Sequence, residues 1–139
     1  MAIVTFYEKP GCANNARQKQ WLRAAGHELI VHDLLQQPWK DQADTLRSFF
    51  GTLPVAQWFN RAAPAIKSGR LQPERIDEQQ AIELMIAEPL LIRRPLMEVD
   101  GQRMAGFDAV RIAAWLKTAL FDVDAEACPK ADRVEACKP

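Results

Sequence analysis

The chain has 139 residues, with 18 Lys plus Arg against 18 Asp plus Glu, so its formal charge is zero. That length suits one domain with a core of its own, and the charge balance excludes a global field for nucleic acid or an anionic membrane. No window approaches the roughly 20 consecutive apolar residues of a membrane span, and the first residues lack a basic-then-apolar leader, so the cytoplasm is the expected compartment.

Residues 2–7 alternate apolar and polar with β-branched and aromatic members, which predicts a strand. Pro10-Gly11 breaks it, and a helical pattern follows at once over 13–25, with Ala16, Trp21, Leu22 and Ala25 on one side and Gly26 as the stop. A second short strand is expected over 28–34 (ELIVHDL). A strand, a helix and a strand in this span form a βαβ unit with parallel strands and a right-handed crossover.

The stretch from 38 to 87 has no strand pattern, and its apolar residues group into short helices expected at 42–50, 55–62 and 78–87. Gly51-Thr52-Leu53-Pro54, Pro64, Ser68-Gly69 and Pro73 supply the breaks. Next come Arg93-Arg94-Pro95, then LMEV and QRMA on either side of Asp100-Gly101, a strong hairpin signal. An amphipathic helix over 108–120 places Ile112, Ala113, Leu116 and Leu120 on one face. Residues 121–139 lose this periodicity and are expected to form a mobile tail on a domain spanning 1–120. The order βαβ, helical insert, β-hairpin and closing helix is an α/β, thioredoxin-like arrangement with a four-stranded mixed sheet.

Cys12 stands where the first strand hands over to the first helix. Unpaired backbone N–H groups and the positive end of the helix dipole favour a thiolate there, so Cys12 reads as a nucleophile. The alternative, a cysteine buried as a small hydrophobe, fits poorly with the Pro-Gly turn and with polar neighbours Lys9, Asn14, Asn15 and Arg17. Ala13, Asn14 and Asn15 follow it, so there is no Cys-x-x-Cys. A monothiol must work through a mixed disulfide with a small thiol, through a distant cysteine, or on a non-disulfide electrophile. Cys128 and Cys137 are readable as resolving thiols, as a pair with each other, or as inert. The odd number of cysteines fits a reducing compartment, and with His27 and His32 remote from them no metal site is expected.

Arg93-Arg94-Pro95 admits two readings. A cis proline before a strand presents backbone to an extended ligand while Arg94 offers a planar fork to an oxyanion or carboxylate; alternatively an edge strand simply begins here with two solvated arginines. Arg61 is expected at a helix C-terminus, where the dipole alone explains a cation. Trp21, Trp39, Trp58 and Trp115 read as packing residues, with no basic interleaving for nucleic acid.

Together, FYEKPGCANNARQKQWLRAAG and LIRRPLMEVDGQRMAGFD resemble the arsenate reductase ArsC/Spx family over about residues 2–118, and most of all its nitrogenase-associated subgroup. The resemblance implies a thioredoxin-like fold with a helical insert, a catalytic cysteine at Cys12 and oxyanion-binding arginines at Arg61 and Arg94, with Asn14 and Pro95 beside them. It departs in two places. The stretch that would supply a third arginine reads MAGFD, with Gly106 and Phe107 there and Arg103 nearby, and Asn15 stands where Spx regulators have their second cysteine. Two functions follow as expectations. One is thiol redox or reductase chemistry at Cys12, with no bound cofactor, glutathione as co-substrate, and glutathione or glutaredoxin as partner. The other is a non-enzymatic accessory role with nitrogenase-system proteins.

Overall fold

A computed structural model describes residues 2–116. Strand β1 (Ile3–Glu8) is followed by helix α1 (Ala13–Ala24) and strand β2 (Glu28–Asp33). The connection out of α1 is set by Gly26, whose φ of +94° lets the Gly26 N–H reach the Arg23 carbonyl and the His27 N–H reach that of Leu22. This is a Schellman ending, and it delivers Glu28 to the Ala2 carbonyl at 2.9 Å to start β2.

The insert contains α2 (Ala43–Ser48), α3 (Pro64–Lys67) and α4 (Glu78–Ala87), linked by single 3₁₀ turns. Helix α4 opens on a reciprocal capping box between Asp77 and Gln80. Strands β3 (Leu96–Val99) and β4 (Gln102–Ala105) form the hairpin, and Asp100 and Gly101 both have positive φ, at 49° and 79°, as a two-residue type I′ turn demands. Helix α5 (Ala109–Leu116) starts on Asp108, whose carboxylate accepts from the N–H groups of Val110 and Arg111. The residues expected to continue this helix past 116, and the expected tail with Cys128 and Cys137, lie outside the described residues.

The sheet order is β2-β1-β3-β4, with β1 parallel to β2 and antiparallel to β3. This is the thioredoxin-like four-stranded mixed sheet. Alternation along β1 sends Val4 and Phe6 to one face, where they pack with Trp21 and Leu22 of α1 and Ile112 of α5. Tyr7 points to the other face, against Trp39 and Phe49 of the insert. Two cores thus lie on opposite faces of one sheet. None of the described helices is long and apolar enough to cross a membrane.

The helix expected over 55–62 is not formed. Only a 3₁₀ turn at Val55–Gln57 exists, after which the chain extends and Phe59 bridges Ile92 antiparallel. The backbone here bonds to a segment thirty residues away: Arg93 N–H to the Trp58 carbonyl at 3.0 Å, and Asn60 N–H to that of Leu91 at 2.8 Å. Those long-range bonds replace the i→i−4 ladder. Pro64, read as a break, instead opens α3, where its missing N–H is no loss.

His27 gives the fold a pH dependence. Its Nδ1 accepts from the Ala2 N–H at 3.0 Å, and burial pushes the imidazole below its usual 6.5. The folded state therefore favours neutral His27, so this contribution is fully present above about pH 6.5 and is lost as pH falls below it toward the folded value. Denaturant midpoints measured from pH 7.5 to 5 are expected to fall for the wild type and to fall less for His27→Asn. Equal slopes would remove His27 as the cause.

Candidate active site

The site grows from the exit of β1. Lys9, Pro10, Gly11 and Cys12 make a tight turn in which the Cys12 N–H donates to the Lys9 carbonyl at 3.1 Å and Gly11 has φ +84°. Proline at the second position and a positive-φ glycine at the third are the requirements of a type II turn. Asn15 holds the turn from below: its Oδ1 accepts from the Lys9 N–H at 3.1 Å, while its Nδ2 donates to Gln18 Oε1 at 2.8 Å. A Glu8–Lys19 ion pair at 2.6 Å ties the strand end to α1. Cys12 is the N-cap of α1, mostly buried, with extended φ and ψ of −78° and 119°.

The register Tyr7↔Leu96 places the residues after β1 beside those before β3. Arg94-Pro95 therefore lies next to the Cys12 turn, and its peptide bond is cis. Pro95 is buried behind this bond, with its carbonyl accepting from the Gly106 N–H at 2.9 Å. Arg94 faces a cleft of about 470 Å³ that is also lined by Cys12, Asn14, Asn15, Gln18, Asn60, Arg61, Lys67 and Arg93. Among the described residues, every charged side chain lining this cleft is a cation. Pro95 itself is not part of the lining.

Of the residues singled out from sequence, Cys12, Asn14, Arg61 and Arg94 meet in this one cleft. Asn14 is oriented by Arg17, whose Nη2 donates to its Oδ1 at 2.6 Å. Arg61 does not end a helix. It follows the extended segment, and its Nη2 donates to Glu74 Oε2 at 2.8 Å and to the Ala56 carbonyl at 3.3 Å. That hydrogen bond from Arg61 is the main reason the exposed Glu74 carboxyl lies below its ordinary range. Arg103, the nearby substitute for a third arginine, is directed elsewhere: it pairs with Glu98 at 2.8 Å, donates to Ser48 Oγ at 2.9 Å and covers the Phe49 ring.

Sequence reasoning passed over Arg93, Gln18 and Lys67 as lining residues. Arg93 is adjacent to a marked arginine, and its place in the cleft is set by partners distant in sequence, the Gln57 and Trp58 carbonyls. Lys67 sits on α3, hidden by reading Pro64 as a break.

The pattern that defines the ArsC family matches residues 7–115. The chain belongs to the ArsC family. It is 52% identical over 130 residues to an uncharacterized 15.7 kDa protein in the draG 3′ region of Rhodospirillum rubrum, covering 93% of this chain and 90% of that one. It is 26% identical over 98 residues to an arsenate reductase of Acidiphilium multivorum, covering 70% and 69% of the two chains. The crystal structure of a putative ArsC family related protein from Bacteroides fragilis shares the fold with a TM-score of 0.68 at 22% identity, over 82% of this chain and 95% of that one. An ArsC-family scaffold with its thiol facing a cationic cleft is suited to thiol redox chemistry.

Proposed function

We propose that this chain is a cytoplasmic monothiol reductase of an oxyanionic electrophile, with arsenate the first to consider and glutathione, directly or through glutaredoxin, as the reductant. The observation that carries it is the meeting of Cys12 with Arg61, Arg93 and Arg94 in a cleft whose charged lining is wholly cationic. Guanidinium forks suit the paired oxygens of an oxyanion, and their charge offsets that of substrate and thiolate brought together.

The chemistry balances with two glutathione molecules. The Cys12 sulfur displaces hydroxide from As(V), and that hydroxide leaves as water after taking a proton. The thiolate of one glutathione then attacks the Cys12 sulfur; an S–S bond forms, the S–As bond breaks, and arsenic keeps the electron pair and departs as As(III). A second glutathione attacks the glutathionyl sulfur, releasing Cys12 and glutathione disulfide. Overall, arsenate and two glutathiones give arsenite, glutathione disulfide and water.

The reading is tested by following glutathione disulfide and arsenite with purified protein, with and without added glutaredoxin. Arg94→Met is expected to raise KM for arsenate about tenfold to a hundredfold, the value of a hydrogen-bonded charge pair. Formation of disulfide no faster than the uncatalysed rate under both conditions sinks the proposal.

A second reading, an accessory protein for nitrogenase-system partners, draws on the subgroup resemblance. The engagement of Arg103 with Glu98 and Ser48 favours it, since the cleft then receives no arginine from the MAGFD stretch or its neighbour.

A further inference from the structure

Gly106 carries two constraints at once. Its φ is +83°, and a Cβ at this position would fall 2.5 Å from Arg93 Nε and 2.8 Å from both Cζ and Nη2. At Gly11, Gly26, Gly51, Gly69 and Gly101 the same construction meets no heavy atom within 4 Å. Glycine is thus required by backbone alone at those positions and by a neighbouring side chain only at Gly106. That neighbour is a guanidinium on the wall of the Cys12 cleft.

Arg93 is held from several directions. Its backbone N–H donates to the Trp58 carbonyl at 3.0 Å, its Nη1 donates to the Gln57 carbonyl at 3.1 Å, and its guanidinium rests on the Gly106 backbone, itself fixed by the 2.9 Å bond to Pro95. A long side chain seated this way has already lost much of its rotamer freedom before a ligand arrives, which is how preorganisation raises selectivity. The seat joins three parts of the chain: the extended segment after Val55–Gln57, the residues before β3, and the residue after β4.

We infer that Arg93 is a specificity-determining residue of this cleft, presenting a fixed guanidinium to an anionic oxygen of the substrate, and that Gly106 is the clearance that lets it sit there. The inference rests on the reading of the Cys12 cleft as a site for an anionic substrate. It assigns the third guanidinium of the site to the residue next to Arg94 in sequence, which lines the same cleft. The ligand chemistry is a pair of oxygens sharing negative charge, as in a carboxylate or a tetrahedral oxyanion.

Alkylation of Cys12 tests this without requiring turnover. Iodoacetate and iodoacetamide differ in charge, and the ratio of their rates on the full-length chain, read on the Cys12 peptide by mass spectrometry and normalised to free glutathione, reports the cationic cleft. Arg93→Met is expected to lower the normalised ratio about fivefold, the effect of one contact charge in a water-like dielectric. Gly106→Ala is expected to lower it similarly, and the double variant no further than either single change. Sulfate and acetate, added at constant ionic strength, distinguish the tetrahedral from the carboxylate source; protection by either that weakens in Arg93→Met supports the inference.

An unchanged ratio in Arg93→Met overturns it, as does protection that Arg93→Met leaves intact. Additive losses in the double variant overturn the role of Gly106. If Gly106→Ala does not fold, Arg93→Met decides alone. A chain inactive toward arsenate yet passing this test would lose the proposed reaction and keep the anion seat; an active chain failing it would keep the reaction and lose Arg93.

Discussion

Replacing Cys12 by Ser is expected to lower glutathione-dependent turnover by roughly three orders of magnitude or more, the usual cost of removing a covalent nucleophile. The change swaps sulfur for oxygen without altering the backbone that presents it. The turn before α1 depends on Pro10, Gly11 and Asn15, and the Cys12 N–H and carbonyl keep their bonds to Lys9 and Ala16 in the variant. Placing a hydroxyl at a mostly buried position costs about 1 kcal/mol, or a few degrees in Tm, so folding survives. Lost turnover with retained folding therefore reports chemistry. A serine cannot form the mixed disulfide through which glutathione acts, and no amount of reductant rescues it. The same variant separates the two proposed functions in a nitrogen-fixing host lacking the native gene. Full complementation by the serine form assigns the role to a surface; failure by a folded serine form assigns it to the thiol.

The parts of this fold readable from sequence are those whose signals are local. The alternation of Ile3–Glu8, the Pro10-Gly11 turn and the Asp100-Gly101 hairpin each follow from a few adjacent residues whose φ requirements or periodicity leave little choice. Cys12 and Arg94 were legible for the same reason, one behind a turn and the other before a proline. The segment carrying Arg61 was not. Trp58 and Phe59 are consecutive buried residues, a pattern compatible with either period, and the choice is made by Leu91 and Arg93, which lie thirty residues onward. Arg93 and Gly106 are a harder case still. Their contact forms where β3 and β4 pair in register and the Gly106 N–H reaches the Pro95 carbonyl, so neither residue alone carries a signal. The direction of Arg103 likewise depends on Glu98 standing opposite it across the hairpin.

Trp58→Ala is expected to be the most destabilising of the changes considered, at about 3–5 kcal/mol, which corresponds to roughly 10–20 °C in Tm. Trp58 is fully buried, stacks on Phe50 at 4.8 Å with an interplanar angle of 6°, and lies beneath the Arg47 guanidinium at 4.6 Å. Its Nε1 donates to the Leu53 carbonyl at 2.8 Å, so Trp58→Phe, which keeps most of the stack, should still cost about 1–2 kcal/mol for the carbonyl left without that donor. The alanine variant does more than open a cavity. Trp58 anchors the extended segment that brings Gln57 to Arg93 and places Arg61 at the cleft, and its own carbonyl receives the Arg93 N–H. Ile112→Ala provides the control, because Ile112 is equally buried but belongs to the core on the opposite face of the sheet. Measured well below both melting temperatures, Trp58→Ala is expected to lower the iodoacetate preference of Cys12, whereas Ile112→Ala leaves it near the wild-type value. Equal losses in the two variants would mean that the cleft responds to global stability, and that the segment around Trp58 has no particular part in holding its arginines.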